Sequence, residues 1–207
     1  DTMLIITELR HFPPSTMTRS NENHNAYEFM RLCIHTEALG IDRKFTWGRV
    51  LRRYWTNRHI RYQVKWRIAS YFYAKGGKRN KKFAIWLNDY ITEKHNVEIH
   101  MGALIGPGLR IGHHIGIVIT RFFQAGSNLT VMQNVTIGIK EDKESEIVMG
   151  DNVYIGAHSC IISNRLHIGN NVTIGAQTFL NKDLPDNVTC YSKRTYTLVM
   201  PADAKTS

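Results

Sequence analysis

The side chains best suited to catalysis near neutral pH in this sequence are its ten histidines. A neutral imidazole, whose ordinary pKa is about 6.5, can accept a proton from a hydroxyl group at that pH. His113 and His114 are adjacent, and adjacent residues on an extended strand point to opposite faces. We therefore expect the two histidines to do different work. No serine or cysteine lies in a nucleophile motif, so a covalent intermediate on the protein is disfavoured.

The region around these histidines has an aliphatic residue at every sixth position. The phased runs are Ile99, Ile105, Ile111 and Ile117; Ile119, Ala125, Val131 and Ile137; Met149, Ile155 and Ile161; and Ile168, Ile174 and Leu180. Three copies of Asn-Val-(Thr/Tyr)-Ile-Gly begin at Asn134, Asn152 and Asn171, which are 18 and 19 residues apart. Neither a helix nor a simple strand has a period of six.

A period of six predicts a triangular coil of short strands. Each hexad forms one flat strand and one corner, the aliphatic residue fills the interior, and successive turns pair in register. Glycine after several of the aliphatic residues, as in Ile155-Gly156, suits a tight corner. The segment from Glu141 to Glu146 breaks the count and is predicted to loop outward.

The preceding half of the chain has helical patterns. Asn25 to Glu28 has capping-box spacing, Gly40 suits a helix end, and further helices are predicted from Lys44 to Trp55 and from Ile60 to Ala74. After the break at Gly76-Gly77, a fourth helix is predicted from the stripe Phe83, Trp86, Leu87, Tyr90 and Ile91. The predicted organisation is α+β, with a helical domain over 1–95, the coil over 96–190 and a tail over 191–207.

The net charge of +10 is concentrated in one part of the chain. Between Arg43 and Lys82 there are fourteen Lys or Arg residues and no Asp or Glu. This block is either a solvated helical surface or a region that attracts anions. Aromatic residues lie among the basic ones, but at the helical spacing of core residues, and no nucleic-acid-binding signature is present. We do not expect nucleic acid as a partner.

Further features bear on the compartment. No apolar run approaches the roughly 20 residues that span a bilayer, and the first residues lack a signal-peptide pattern. The three cysteines, Cys33, Cys160 and Cys190, have no metal-type spacing, which favours a reducing compartment. We expect a cytoplasmic protein.

The phased Ile-Gly hexads and four segments resemble a known family. The segments are the helix Trp66–Phe72, Val97-Glu-Ile-His100, Gly106–Ile119 and the exit from the coil, Leu184-Pro-Asp-Asn187. Together they resemble the hexapeptide-repeat acyltransferases, and more closely the serine acetyltransferases with their polysaccharide-modifying relatives of the colanic-acid type. The resemblance covers about residues 60 to 190. It implies a left-handed parallel β-helix from about Val97 to Asn187, and an acetyl-CoA-dependent O-acetyltransferase.

The resemblance also implies a site. His113 falls on the family's catalytic histidine, and Glu98, fifteen residues earlier, falls on the carboxylate that orients it. Acetyl-CoA is implied to lie in a groove between two coils, against the small residues Gly138, Ala157, Gly175 and Ala176. Lys193 or Arg194 is implied to bind the phosphates of CoA; the alternative is that both residues lie in a solvated tail. The assembly is implied to be a homotrimer or a dimer of trimers, and no metal is expected.

The sequence departs from the serine enzymes at three places. Gly112 replaces an aspartate before the catalytic histidine, the loop Glu141–Glu146 contains no histidine, and Ser192-Lys-Arg194 replaces the family's closing motif. The first departure removes a carboxylate that meets the ammonium group of serine and opens room for a larger acceptor. We place Gly112 and His114 on the acceptor side of the site, although a purely structural role for His114 stays open.

These departures favour a sugar hydroxyl of a surface polysaccharide, or of its precursor, as the acceptor. The basic block favours an acidic glycan by electrostatic steering. The alternative is serine O-acetylation for cysteine biosynthesis. Two rivals are a non-catalytic binding scaffold and a metal enzyme of the γ-carbonic-anhydrase type, for which His95 and His100 have a suggestive spacing.

Overall fold

The computed structural model describes residues 19–141 and 145–193, with side chains from residue 25 onward. Its helices are α1 (Arg19–Ile34), a π-helical turn (His35–Leu39), α2 (Trp47–Thr56), α3 (Arg58–Lys75) and α4 (Lys78–His95). Within the described residues, no helix is both long enough and apolar enough to cross a bilayer.

The helix ends differ from prediction where side chains cap the backbone. Asn25 lies inside α1, so its prediction as a helix start was wrong. Helix α2 begins at Trp47 rather than Lys44, because Oγ1 of Thr46 accepts a hydrogen bond from the Arg49 backbone N–H. In the same way, Asn57 accepts from the His59 N–H at the start of α3.

Helix α4 buries only part of its predicted apolar stripe. Ile91 is fully buried and Leu87 packs against the core, whereas the aromatic members Phe83, Trp86 and Tyr90 are exposed. The remaining buried residues of the helix are Ala84 and Asn88, so the inward face is rotated away from the aromatic side of the stripe.

Fourteen short strands follow the helices in the described chain. They are β1 (Val97–Ile99), β2 (Leu104–Ile105), β3 (Arg110–Ile111), β4 (Ile117–Ile119), β5 (Phe123–Ala125), β6 (Thr130–Val131), β7 (Thr136–Gly138), β8 (Glu146–Met149), β9 (Tyr154–Ile155), β10 (Cys160–Ile162), β11 (Arg165–Ile168), β12 (Thr173–Ile174), β13 (Phe179–Leu180) and β14 (Thr189–Cys190). All pairings are parallel.

The strands form the three sides of a prism. The first sheet has the order β1-β4-β7-β10-β13, the second β11-β8-β5-β2 and the third β14-β12-β9-β6-β3. Register places aliphatic residues above one another, for example Ile119 on Ile137, and nearly all the predicted hexad residues are buried in one core. The predicted outward loop falls partly on residues 142–144, which lie outside the described residues.

The corners of the prism are closed by residues in the left-handed region. Asn128, Asn152, Asn171 and Asn187 all have positive φ, and their side-chain amides form a ladder with N···O distances of 2.9 Å. Asparagine tolerates this backbone conformation better than other residues that carry a Cβ. Where the coil turns approach most closely only glycine fits, since a Cβ on Gly106 would lie 2.5 Å from the Gly126 carbonyl oxygen.

Helix α3 is fixed to the first coil turn by polar side chains. Arg67 donates to the carbonyls of Ile105 and Gly106 at 2.6 and 2.8 Å and forms a buried ion pair with Glu37. Gln63 donates to the Leu109 carbonyl at 2.6 Å. Because carbonyls at the end of a coil have no further turn to pair with, these donors satisfy groups that burial would otherwise leave unpaired.

Candidate active site

His113 lies on one edge of the prism, in the segment Gly112–Gly116 that connects the third sheet to the first. We call this edge the His113 edge. Backbone hydrogen bonds fix the segment at both ends: the Gly112 N–H donates to the Val131 carbonyl at 2.9 Å, and the Gly116 N–H donates to the Asn96 carbonyl at 2.8 Å. The His113 side chain is exposed and makes no hydrogen bond to the described residues. Its imidazole is therefore accessible on a firmly held backbone.

His114 turns toward the helices instead. Its ring stacks on His59 with centroids 5.3 Å apart, and it packs against Tyr62 and His95 at 5.7 and 5.8 Å. Burial, together with the neighbouring His59 and His95, lowers the pKa of His114 to about 4. His114 is therefore neutral near pH 7, and its surroundings fit the structural role that the sequence left open.

Sequence reasoning did not identify the aromatic surroundings of His114. Tyr62 is fully buried, and its hydroxyl has no hydrogen-bond partner in the described chain. The Nε2 atoms of His95 and His114 are likewise buried and unpartnered. His59 and Tyr62 lie three residues apart on one face of α3, but this spacing by itself does not indicate contact with a coil segment.

Glu98 is paired with a different histidine from the one predicted. Its Oε1 lies 2.6 Å from His100 Nε2, and the two side chains are 45% and 46% exposed. Residues two apart on a strand share a face, which explains this contact. No hydrogen bond joins Glu98 to His113 in the part of the chain described, so the orienting role of Glu98 stays a prediction.

Gly112 does not open the room for a larger acceptor that the sequence predicted, because Met132 fills the space beside it. A Cβ added to Gly112 would collide with the Sδ of Met132 on the next coil turn. An aspartate at this position would require the thioether to move. The surroundings of His113 on this side are consequently apolar rather than negatively charged.

Three of the four small residues predicted to contact acetyl-CoA lie on the His113 edge. Ala157, Gly175 and Ala176 follow strands of the third sheet, as Gly112 does. Backbone hydrogen bonds connect successive turns there, for example from the Gln177 N–H to the Ala157 carbonyl at 2.8 Å. Gly138 instead ends a strand of the first sheet and lies at the next edge. Lys193 is exposed, and Arg194 lies outside the described residues.

The two histidines proposed as metal ligands have other surroundings. His100 is paired with Glu98, and His95 packs against Tyr62 and His114. Over residues 19–141 and 145–193, no group of three or more His, Cys, Asp or Glu side chains is arranged to hold a metal ion.

Comparison with known sequences gives a consistent set of relatives, although no protein-family model matches the chain. A serine acetyltransferase of Staphylococcus epidermidis is 41% identical over 95 residues, which is 45% of this chain and 44% of the relative. The mitochondrial serine acetyltransferase 3 of Arabidopsis thaliana is 35% identical over 111 residues, covering 53% of this chain and 28% of the relative. The chain thus spans less than half the length of these relatives.

Solved structures show the same fold. Serine acetyltransferase isoform 3 of Entamoeba histolytica, in complex with cysteine, superposes with a TM-score of 0.66 at 21% identity, over 89% of this chain and 64% of that one. The Neisseria gonorrhoeae enzyme in complex with serine gives a TM-score of 0.62 at 24% identity, over 83% and 68%. The predicted fold class, helices followed by a left-handed parallel β-helix, is confirmed. The chain therefore has the left-handed β-helix fold of these structures, and the sequences that its coil resembles are those of serine acetyltransferases, which are hexapeptide-repeat acyltransferases.

Proposed function

We propose that this protein is an O-acetyltransferase that uses acetyl-CoA, with His113 as the general base. The observation that carries the proposal is the His113 imidazole, which is exposed and free of hydrogen bonds to the described residues, on a segment fixed by hydrogen bonds to neighbouring turns. A hydroxyl group that is to receive the acetyl group must lose its proton to a base that is accessible and held in place, and His113 meets both conditions.

The reaction is a direct transfer. The acceptor hydroxyl donates its proton to His113 while its oxygen attacks the thioester carbonyl, forming a tetrahedral oxyanion. Collapse of this species breaks the C–S bond, and the departing thiolate takes the proton from the His113 imidazolium. The products are an acetyl ester and free CoA, and the base is regenerated.

Acetyl-CoA is proposed to lie along the His113 edge. Ala157, Gly175 and Ala176 let its pantetheine arm approach the backbone closely, and Lys193 is available to the phosphates. Gly138 lies at the neighbouring edge of the same subunit, so it joins this site only if a second subunit supplies one wall. This geometry supports the proposal of a homotrimer, or a dimer of trimers, which sedimentation analysis tests: a fully active monomer would contradict it.

Two acceptors are proposed. L-serine is the first, because the related proteins are named serine acetyltransferases and one solved structure contains serine. The second is a sugar hydroxyl of a surface glycan or its precursor. It is favoured because Gly112 and the neighbouring Met132 supply no carboxylate that could pair with the ammonium group of serine. Comparing kcat/KM for L-serine with kcat/KM for neutral and acidic oligosaccharides decides between the two acceptors. Repeating the comparison at low and high salt tests whether the basic block attracts acidic glycans electrostatically.

The test of the reaction is release of CoA thiol with His113→Ala. We expect kcat to fall by about 10²–10⁴-fold, which is the usual contribution of a positioned acid–base group. The matched control is His167→Ala, an exposed histidine in β11 on the second sheet, which should leave kcat unchanged. Equal activity of the two variants would remove His113 from the mechanism.

A cytoplasmic location is proposed with this function, in line with the free cysteines Cys33, Cys160 and Cys190.

A further inference from the structure

Helix α2 leaves an apolar stripe exposed along its outer side. Val50 is buried in the core, but Trp47, Leu51 and Trp55 are all exposed, and Trp55 is 67% exposed. These three residues follow one another at intervals of four, so they share one face of the helix. The rest of the exposed helix surface is basic, with Arg49, Arg52 and Arg53. Two tryptophans and a leucine exposed beside arginines are typical of a surface that meets a partner.

Helix α4 has a second face of the same kind. The rings of Phe83, Trp86 and Tyr90 form a row with neighbouring centroids 5.9 and 6.3 Å apart, and Trp86 is 61% exposed. Arg79 and Lys82 precede Trp86 by seven and four residues, so they lie on the same side of the helix as the row of rings. Both cations are exposed. Helix α4 thus combines aromatic rings with cations, as α2 does.

Lys65 in α3 connects the two faces. Its Nζ lies 5.8 Å from the ring centroid of Tyr54 in α2 and 5.0 Å from that of Tyr90 in α4. Tyr54 in turn packs against Trp55, with centroids 5.8 Å apart. The exposed faces of α2 and α4 are therefore continuous across α3. We call this surface the helical face, and it is formed by Trp47, Leu51, Trp55, Lys65, Trp86 and Tyr90 with the cations beside them.

The charge of the helices indicates the kind of partner. Helices α2 and α3 contain no Asp or Glu, and fourteen Lys or Arg residues lie between Arg43 and Lys82. The acidic residues of α4 are Asp89 and Glu93, toward its end. A second copy of the chain placed on this face would bring like charges together, whereas an anionic surface would be attracted to it. The charge therefore favours a polyanionic partner.

The aromatic rings distinguish among polyanions. A base of single-stranded nucleic acid stacks on a free ring face, but Lys65 already lies over the rings of Tyr54 and Tyr90, and the Tyr54 and Trp55 rings meet edge to face at 87°. An acidic polysaccharide offers no apolar phase to take up Leu51. Tryptophan and tyrosine beside Lys and Arg are instead the residues of the boundary between lipid headgroups and acyl chains.

We propose that the helical face docks on a membrane surface that contains anionic phospholipids. The exposed tryptophans enter the boundary between headgroups and acyl chains, and the surrounding cations pair with lipid phosphates. The helices lie on the bilayer rather than across it. Docking is independent of the proposed transfer reaction, and it holds the coil beside the membrane.

The experiment is co-sedimentation of the full chain with vesicles. Vesicles of phosphatidylcholine mixed with phosphatidylglycerol are compared with vesicles of phosphatidylcholine alone. We expect binding to the anionic vesicles that weakens at high salt. Affinity should fall about tenfold in Trp55→Ser and in Trp86→Ser, because each loses a large side chain that is buried on docking. It should fall about fivefold in Arg52→Ala and in Lys82→Ala, which is the usual contribution of one cation near an anionic bilayer.

The matched controls lie on the coil. Phe179→Ser removes an exposed ring from β13, and Lys182→Ala removes an exposed cation that follows it. Both variants should bind anionic vesicles like the parent. Arg52→Ala and Lys82→Ala change exposed positions only, so the test survives if a tryptophan variant fails to fold.

Four outcomes would overturn the proposal. The first is equal binding of the parent to both kinds of vesicle, and the second is unchanged binding in every helical-face variant. The third is the absence of vesicle binding together with a change of oligomeric state in Trp55→Ser and Trp86→Ser, which would assign the face to a contact between copies of the chain. The fourth is vesicle binding that appears only after removal of residues 1–18, which would assign the face to that segment. Thiol release measured on the same variants is a separate readout, so loss of docking and loss of the proposed function remain distinguishable.

Discussion

The buried ion pair between Glu37 in the π-helical turn and Arg67 in α3 should contribute most to holding the helices against the coil, because both side chains also bond to the backbone of the coil. Both side chains are almost fully buried, at 2% and 3% exposure. Burial raises the pKa of Glu37, an effect that the Arg67 guanidinium opposes. Arg67 also donates to the Ile105 and Gly106 carbonyls. Replacing Arg67 by methionine would therefore leave a carboxylate and two carbonyls without this partner.

The expected loss can be worked from these contacts. Hydrogen bonds to charged groups contribute about 1.5–3 kcal/mol each, and removing one partner of a buried ion pair costs about 3–5 kcal/mol. Part of the loss is recovered because Glu37 still accepts from the Leu109 N–H at 3.1 Å and can take up a proton. We expect Arg67→Met to lower the free energy of unfolding by about 3–5 kcal/mol.

The assay is urea-induced unfolding followed by circular dichroism, with Arg31→Met as the matched control. Arg31 pairs with Glu28 at 2.8 Å, but their side chains are 43% and 39% exposed, so this substitution should cost about 1 kcal/mol or less. If Arg67→Met and Arg31→Met destabilise the protein equally, burial of the pair does not determine its contribution, and our reasoning about this contact is wrong.

Three further predictions concern the coil and the site. His114 should take up a proton near its ordinary pKa of 6.5 in the unfolded chain but only near 4 in the folded chain, so the free energy of unfolding should fall by about 1–2 kcal/mol as the pH falls through this window, after allowance for solvent screening. Urea unfolding of His114→Gln near pH 7 and near pH 4.5 should show a smaller fall. An equal fall in the parent and the variant would contradict the pKa shift assigned to His114. Gly106→Ala should lower the unfolding free energy by about 1–3 kcal/mol, because its Cβ would meet the Gly126 carbonyl oxygen; an unchanged urea midpoint would show that the turns separate freely. If Glu98 leaves His100 to orient His113 during the reaction, Glu98→Gln should lower kcat by about 10²-fold and shift the pH profile of kcat/KM. An unchanged pH profile would confine Glu98 to a structural role.

The six-residue period was sufficient to predict the coil because its cause is local. An interior position of the prism admits only an aliphatic side chain, and each turn repeats the one below it, so Ile119 and Ile137 follow from spacing alone. Asparagine at the corners follows in the same way from a backbone with positive φ. The family resemblance then added what periodicity cannot supply: the hand of the coil and the significance of His113.

Contacts between the helices and the coil depended on the tertiary structure. Spacing showed that α4 is a helix, but packing against α3 and the coil decided that Asn88, rather than the exposed Trp86, faces inward. Glu37 and Arg67 lie 30 residues apart, and no local pattern connects them. The contact of Glu98 with His100 depends in the same way on the strand, which places the two side chains on one face. A sequence period specifies which face of an element is apolar, but the partner of a polar side chain depends on where other elements place their atoms, and that is decided only when the whole chain has packed.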